Sequence, residues 1–315
     1  MGKDSKIRKI VLFMSSGNGE KSGNKIWLIP AIIFLAIGIV FGGIFGFKYI
    51  TILLAERQMD SLRESVNTVA ENDKPEVSEP KEEPKEGNPE DASEEPVKEK
   101  KPWDELTLEE KYARYSEDYG ISIPEKNIDF EALKSGTNSD IYAWIYIPEL
   151  DVDDPVVQNP ENDDFYLDHN LDKSAGYPGG IYTQKTYNST DFEDRMTVIY
   201  GHNMRDNKRF SSLHRLENKE EFENCRYIFI YLPDDVRVYE ITSAYVGSDT
   251  HILATHTWDD ESWVEYLQGT IETNGPDDSA LSNYDFDKDD KALTLSTCIK
   301  NMPNNRYLVQ GILLR

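Results

Sequence analysis

The sequence predicts a mainly β domain, built as a closed or nearly closed barrel and carried behind one N-terminal membrane-spanning helix. Three observations predict it. An uncharged apolar run fills Ile26 to Phe47, about the length one helix needs to cross a bilayer. A stretch dominated by Glu, Lys and Pro comes next, of which Glu79-Pro80-Lys81-Glu82-Glu83-Pro84 is typical. Beyond Trp103, short runs of β-branched and aromatic residues alternate with turn residues, the pattern of many short strands in one sheet.

Residues 1–25 form a polar, basic tail, with Lys3, Lys6, Arg8, Lys9, Lys21 and Lys25 against Asp4 and Glu20. The span is placed at 26–54, because the apolar run continues past Lys48 through Ile50, Ile52, Leu53 and Leu54. A cleavable signal has a shorter apolar core and a small-residue cleavage site, so this segment reads as a signal-anchor. The basic flank precedes the span, which keeps the N-terminus in the cytoplasm and places residues beyond 55 outside the cell. Residues 55–102 read as a disordered, extended stalk, since such a composition buries too little apolar surface to offset its ordering entropy.

The remaining 103–315 is long enough to bury a full core. Thr107 and Glu110 form a capping box for a helix that stops at Gly120. A second short helix is expected near Phe130 to Lys134. Strand patterns then occur at Ile141–Ile147, Gly180–Thr183, Met196–Tyr200, Arg226–Leu232, Val236–Tyr245, Ala292–Thr297 and Tyr307–Leu314. Pro233-Asp234-Asp235 marks a hairpin. Helical inserts are expected near Ser212–Phe222 and Asp260–Ile271.

A net charge of −25 argues against nucleic acid, whose phosphates need clustered Lys and Arg. Cys225 and Cys298 are the two cysteines. They make no disulfide framework for a domain of this size, and Cys225, between a helical and a strand pattern, reads as a small buried residue. No CxxC pair or His cluster suggests a metal, and no cofactor is expected.

The chemistry concentrates near the C-terminus. Thr294-Leu295-Ser296-Thr297-Cys298 reads as a buried strand ending in a thiol, and Arg306-Tyr307-Leu308-Val309-Gln310-Gly311 as a strand beginning with a guanidinium. Paired as a hairpin, they set Cys298 beside Arg306, where a thiolate can attack a carbonyl and a fixed cation can stabilise the developing charge. Tyr200-Gly201-His202-Asn203-Met204, at the end of another strand, offers a general acid/base. No carboxylate is placed to orient His202; Asp206 reads as a turn residue. His169, His214, His251 and His256 sit in no comparable motif.

These three strings, with the N-terminal anchor, resemble the sortase family of Gram-positive transpeptidases, and most closely class B. The likeness covers roughly 105–315. N-terminal helices before the first strand and the helical insert before the cysteine strand are similar to class B, and no lid segment precedes the core. The resemblance implies a barrel of about eight strands. It also implies that Cys298 is the nucleophile on a sorting-signal threonine, His202 the acid/base and Arg306 the oxyanion donor. Ser296, Thr297 and Tyr200 would line the substrate groove, though plain packing serves each equally well; Leu167 is a weaker candidate. The implied partners are surface proteins bearing a sorting signal of the NPxT kind and an amino group of peptidoglycan or its precursor. Three rivals stand beside this reading: a pilin polymerase using a lysine acceptor, an inactive binding module, and a purely hydrolytic endopeptidase.

Overall fold

The computed structural model describes residues 25–72, 100–204 and 209–315. The expected tail up to residue 24, the stalk over 73–99 and the Asp206 turn lie outside the described residues. The chain divides into two compact units, Met1–Thr51 and Ile52–Arg315. Helix α1 (Lys25–Asn72) contains one stretch long and apolar enough to cross a membrane, with a mean hydropathy of 2.3.

The second unit begins inside that helix, which corrects the start of the expected stalk. From residue 55 the chain is not disordered but stays helical to Asn72. Met59 and Val66 are buried at 4% and 3% exposure. Arg63 donates from Nη2 to Asp154 Oδ1 at 2.8 Å and from Nε to the Asp153 carbonyl at 2.8 Å. Met59, Leu62 and Val66 share one helical face through their spacing, and that face packs into an apolar cluster with Tyr115, Trp144 and Tyr231.

Helices α2 (Leu108–Tyr119) and α3 (Phe130–Gly136) form as expected. Thr107 and Glu110 make the reciprocal capping box, and Gly120 ends α2 in the left-handed region at φ 67°. The strands are β1 (Ile141–Ile147), β2 (Val152–Val157), β3 (Ile181–Tyr182), β4 (Met196–Tyr200), β5 (Tyr227–Leu232), β6 (Asp235–Ser248), β7 (Ser279–Ala280), β8 (Ala292–Ile299) and β9 (Met302–Leu313). Their order is β5-β1-β2-β3-β4-β8-β9-β6-β7, and a β5–β6 pairing closes the first eight into a barrel, leaving β7 beside β6. Closure pairs the strand edges that an open sheet would expose. The β2–β3 and β4–β8 pairs are parallel and the rest antiparallel.

Between β4 and β5 lie a 3₁₀ segment (Phe210–Glu217) and helix α4 (Lys219–Asn224). Helices α5 (Ile252–Thr255) and α6 (Asp260–Ile271) fill the connection from β6 to β7. Ile145, Ile181, Ile199, Ile230, Leu295 and Val309 belong to the cluster inside the barrel. Outside it, α2 and α3 cover Trp144 and Tyr231, and α6 covers Met196 and Ile312 with Trp263 and Leu267.

Two charged sites in this unit lend themselves to measurement. Asp154 is fully buried, with Arg63 at 2.8 Å and Arg209 at 3.9 Å. Removing Arg63 leaves the buried Asp154 carboxylate with the more distant Arg209, a poorer compensation for its charge. Arg63→Ala should therefore cost about 3 kcal/mol in denaturant unfolding of the full chain in detergent, the low end for such pairs; a loss below about 1 kcal/mol, the scale of exposed pairs, would show that α1 is not held there. Glu193 meets Arg237 at 2.7 Å, Arg315 at 2.5 Å and Lys291. Burial alone would raise its pKa, but the Lys291 and Arg315 hydrogen bonds and the Arg237 charge outweigh that and hold it at about 2. A carboxylate lowered by folding stabilises the fold above its ordinary value, 4.5, and loses that contribution as pH falls toward 2. Thermal melts of Glu193→Gln should accordingly show a lower midpoint at pH 7 and a smaller drop on acidification than the parent.

Candidate active site

Strand β8 carries the site because of how it is paired on each side. Against β4 it runs parallel, with Tyr200 opposite Ser296, and Gly201 N–H donates to the Ser296 carbonyl at 3.1 Å. Two residues further along both chains stand His202 and Cys298. Against β9 the pairing is antiparallel, with Cys298 directly opposite Arg306. Residues opposite one another in such a pair hold their Cβ atoms about 5 Å apart. All six residues expected at the site, Cys298, His202, Arg306, Ser296, Thr297 and Tyr200, line one cavity at the barrel rim.

The β8–β9 hairpin is tighter than the polar loop expected from sequence. Ile299 pairs with Met302, so Pro303, Asn304 and Asn305 are extra residues opposite β8, a bulge whose other side stays paired to β6 through Asn305 and Ser248. Bulges of this kind re-aim the neighbouring side chain. Arg306 Nη1 donates to the Pro303 and Asn305 carbonyls at 3.0 and 2.8 Å. One nitrogen thus anchors the guanidinium to its own bulge, and among the described residues Nε and Nη2 meet no hydrogen-bond acceptor.

His202 is oriented by a backbone carbonyl. Its Nε2 lies 2.6 Å from the Leu167 oxygen; a carbonyl only accepts, so Nε2 carries the proton and Nδ1 keeps the ring's free lone pair. Leu167 itself lines the cavity and is half exposed. Tyr177 covers the imidazole at 5.4 Å between ring centroids. Gly179, at φ +74°, allows this packing, since a Cβ there would meet the Tyr166 carbonyl at 2.8 Å and His202 Cδ2 at 2.9 Å. Gly201 is equally constrained, with the Phe210 ring 2.6 Å from where its Cβ would sit.

Ser296 and Thr297 are buried, and Thr297 Oγ1 has no hydrogen-bond partner among the described residues. Tyr200 stacks on Tyr182 at 5.4 Å, and burial, reinforced by the charge on Asp164, raises the pKa of both phenols. Sequence reasoning misses the far wall of the cavity. There His251 Nδ1 accepts from Ala254 N–H at 3.1 Å, which leaves its Nε2–H to donate to Gln184 Oε1 at 2.6 Å. Gln184 Nε2 donates in turn to Asp164 at 3.0 Å. No spacing in the sequence links residues 164, 184 and 251, so only the fold brings them together.

Cys225 is buried, as expected, at 1% exposure, while Cys298 is exposed. Burial pushes the Cys225 thiol up to about 12. Iodoacetamide at pH 8 should therefore modify Cys298 and spare Cys225 in the folded chain, as peptide mapping would read; comparable labelling of both would contradict this environment.

The family model for the sortase domain matches residues 145–313. Sortase B of Listeria monocytogenes is 30% identical over 186 residues, covering 56% of this chain and 71% of that protein. Sortase B of Staphylococcus aureus is 25% identical over 176 residues, covering 54% and 67%. The X-ray structure of Clostridium perfringens sortase B superposes with a TM-score of 0.52 at 28% identity, covering 59% of this chain and 99% of that one.

Proposed function

Since the chain belongs to the sortase family of cysteine transpeptidases, in its class B branch, we propose that it cleaves a C-terminal sorting signal after threonine and transfers the acylated protein to a cell-wall amino group. The observation that carries this reading is the convergence of Cys298, His202 and Arg306 on one exposed cavity. His202 Nδ1 takes the proton of the Cys298 thiol, the resulting thiolate attacks the threonine carbonyl carbon, and Arg306 donates to the oxyanion through Nε and Nη2. The C–N bond breaks as His202 gives a proton to the departing amine, leaving a thioester. An incoming amine then attacks the thioester, His202 takes its proton, and sulfur departs.

Tyr200, Ser296 and Thr297, which line the same cavity, would contact the signal. The partners are surface proteins with an NPxT-type signal and an amine of peptidoglycan or its precursor. The apolar stretch in α1 supports a single-pass anchor. The basic residues before it support a cytoplasmic N-terminus, with the catalytic unit outside the cell.

The test uses the full chain in detergent with a fluorogenic peptide containing Asn-Pro-x-Thr. Cys298→Ala should abolish turnover. Arg306→Ala should lower kcat by about 10²–10³, the effect of losing one oxyanion donor. An added amine should divert product from acid to amide. Turnover surviving in Cys298→Ala would refute the assignment, and a product distribution indifferent to amine would make the protein a hydrolase.

A further inference from the structure

We propose that His214 is a positioning residue that holds the nucleophile in register with its two partners, an inference that rests on Cys298 being that nucleophile. His214 lies in the 3₁₀ segment, which Phe210, Leu213 and Leu216 fix in the barrel core at 0% exposure. Its Nε2 stands 3.1 Å from the carbonyl oxygen of Cys298. Asn203 Nδ2 donates to that same oxygen at 2.8 Å and lies 3.0 Å from His214 Nε2. On the other side of the ring, Nδ1 faces Glu217 Oε1 at 2.6 Å. The ring also stacks on Tyr307, with centroids 4.9 Å apart and planes at 24°.

These contacts reach one residue of each catalytic strand or loop. Asn203 comes directly after His202, Cys298 lies near the end of β8, and Tyr307 comes directly after Arg306. With Nδ1–H donated to Glu217, a neutral ring accepts at Nε2 from Asn203, and a protonated ring donates at Nε2 to the Cys298 carbonyl. In both states the imidazole spans the junction at Cys298, the last β8 residue in regular register with β9 before the shift at Ile299. His214 touches the peptide of Cys298 and not its sulfur. It therefore acts through placement of Sγ, and its loss should fall on kcat rather than on capture of the peptide.

The test compares His214→Ala, His214→Gln and Cys298→Ala in the full chain, using the same fluorogenic peptide. One net hydrogen bond is worth about 1 kcal/mol, so His214→Ala should lower kcat by about 5- to 10-fold with KM within about twofold of the parent. His214→Gln, whose amide can donate to the Cys298 carbonyl, should recover most of that loss. Parent-like kcat in His214→Ala, a loss confined to KM, or failure of glutamine to restore turnover would each overturn the role of His214. Cys298→Ala separates the two readings: if it is dead, any such failure belongs to His214 alone, and if it turns over, the nucleophile assignment falls first.

Discussion

Strand β8 is hydrogen-bonded along its length to a parallel neighbour and an antiparallel one, and that double register is the constraint on which the site depends. A strand paired on one side alone can slip, and a slip of one residue sends every side chain to the opposite face. Here a slip would have to break the ladder to β4 and the ladder to β9 together, and would carry Leu293 and Leu295 out of the barrel core. Hydrophobic burial therefore fixes which residue of β8 stands level with His202 and which faces Arg306. The chemistry is placed by groups that take no part in it.

Beyond the last regular pair the ladders end, and local devices take over. The histidine is held by a carbonyl from the 3₁₀ turn Phe165–Leu167, and that turn is anchored through Tyr166. The Tyr166 hydroxyl donates to Asp140 at 2.7 Å and accepts from Asn138 at 2.7 Å, all three being buried. Its carbonyl takes the N–H of Gly180 at 3.0 Å, so the loop beneath His202 is tied to the same residue as the turn that orients it. The guanidinium is braced by its own bulge. Each functional group thus stands at the open end of a rigid element and is steadied by short-range polar contacts.

Much of this is legible in the sequence, for identifiable physical reasons. The capping box at Thr107, the seven strand patterns and the adjacency of Cys298 and Arg306 are local, since period, cap and hairpin are set by near neighbours in the chain. Strand β2 escapes because Asp153, Asp154 and Pro155 are poor strand residues. Each is accommodated by something distant: Asp153 by Trp144 Nε1 at 2.6 Å, Asp154 by Arg63, and Pro155 by lying before the point where β3 begins to pair. The helical continuation of α1 does leave a trace, the spacing of Met59, Leu62 and Val66, which the charged composition around it conceals. The Gln184–His251 wall leaves none.

Two of the four histidines without a motif, His214 and His251, show why composition alone does not reveal such roles. A histidine at the end of a glycine-flanked strand announces itself, because that setting has few structural uses. A histidine on a helical turn or a loop has many, and its role is decided by what packs against it. His251 caps a short helix with one nitrogen and holds Gln184 with the other, so both of its hydrogen-bonding sites are committed to the wall of the cavity. His214 is likewise committed on both sides, but its second nitrogen meets the main chain of Cys298 and the amide beside His202. Residues that support a reacting centre are found by following hydrogen bonds outward from it, and those bonds join segments that lie far apart in the sequence.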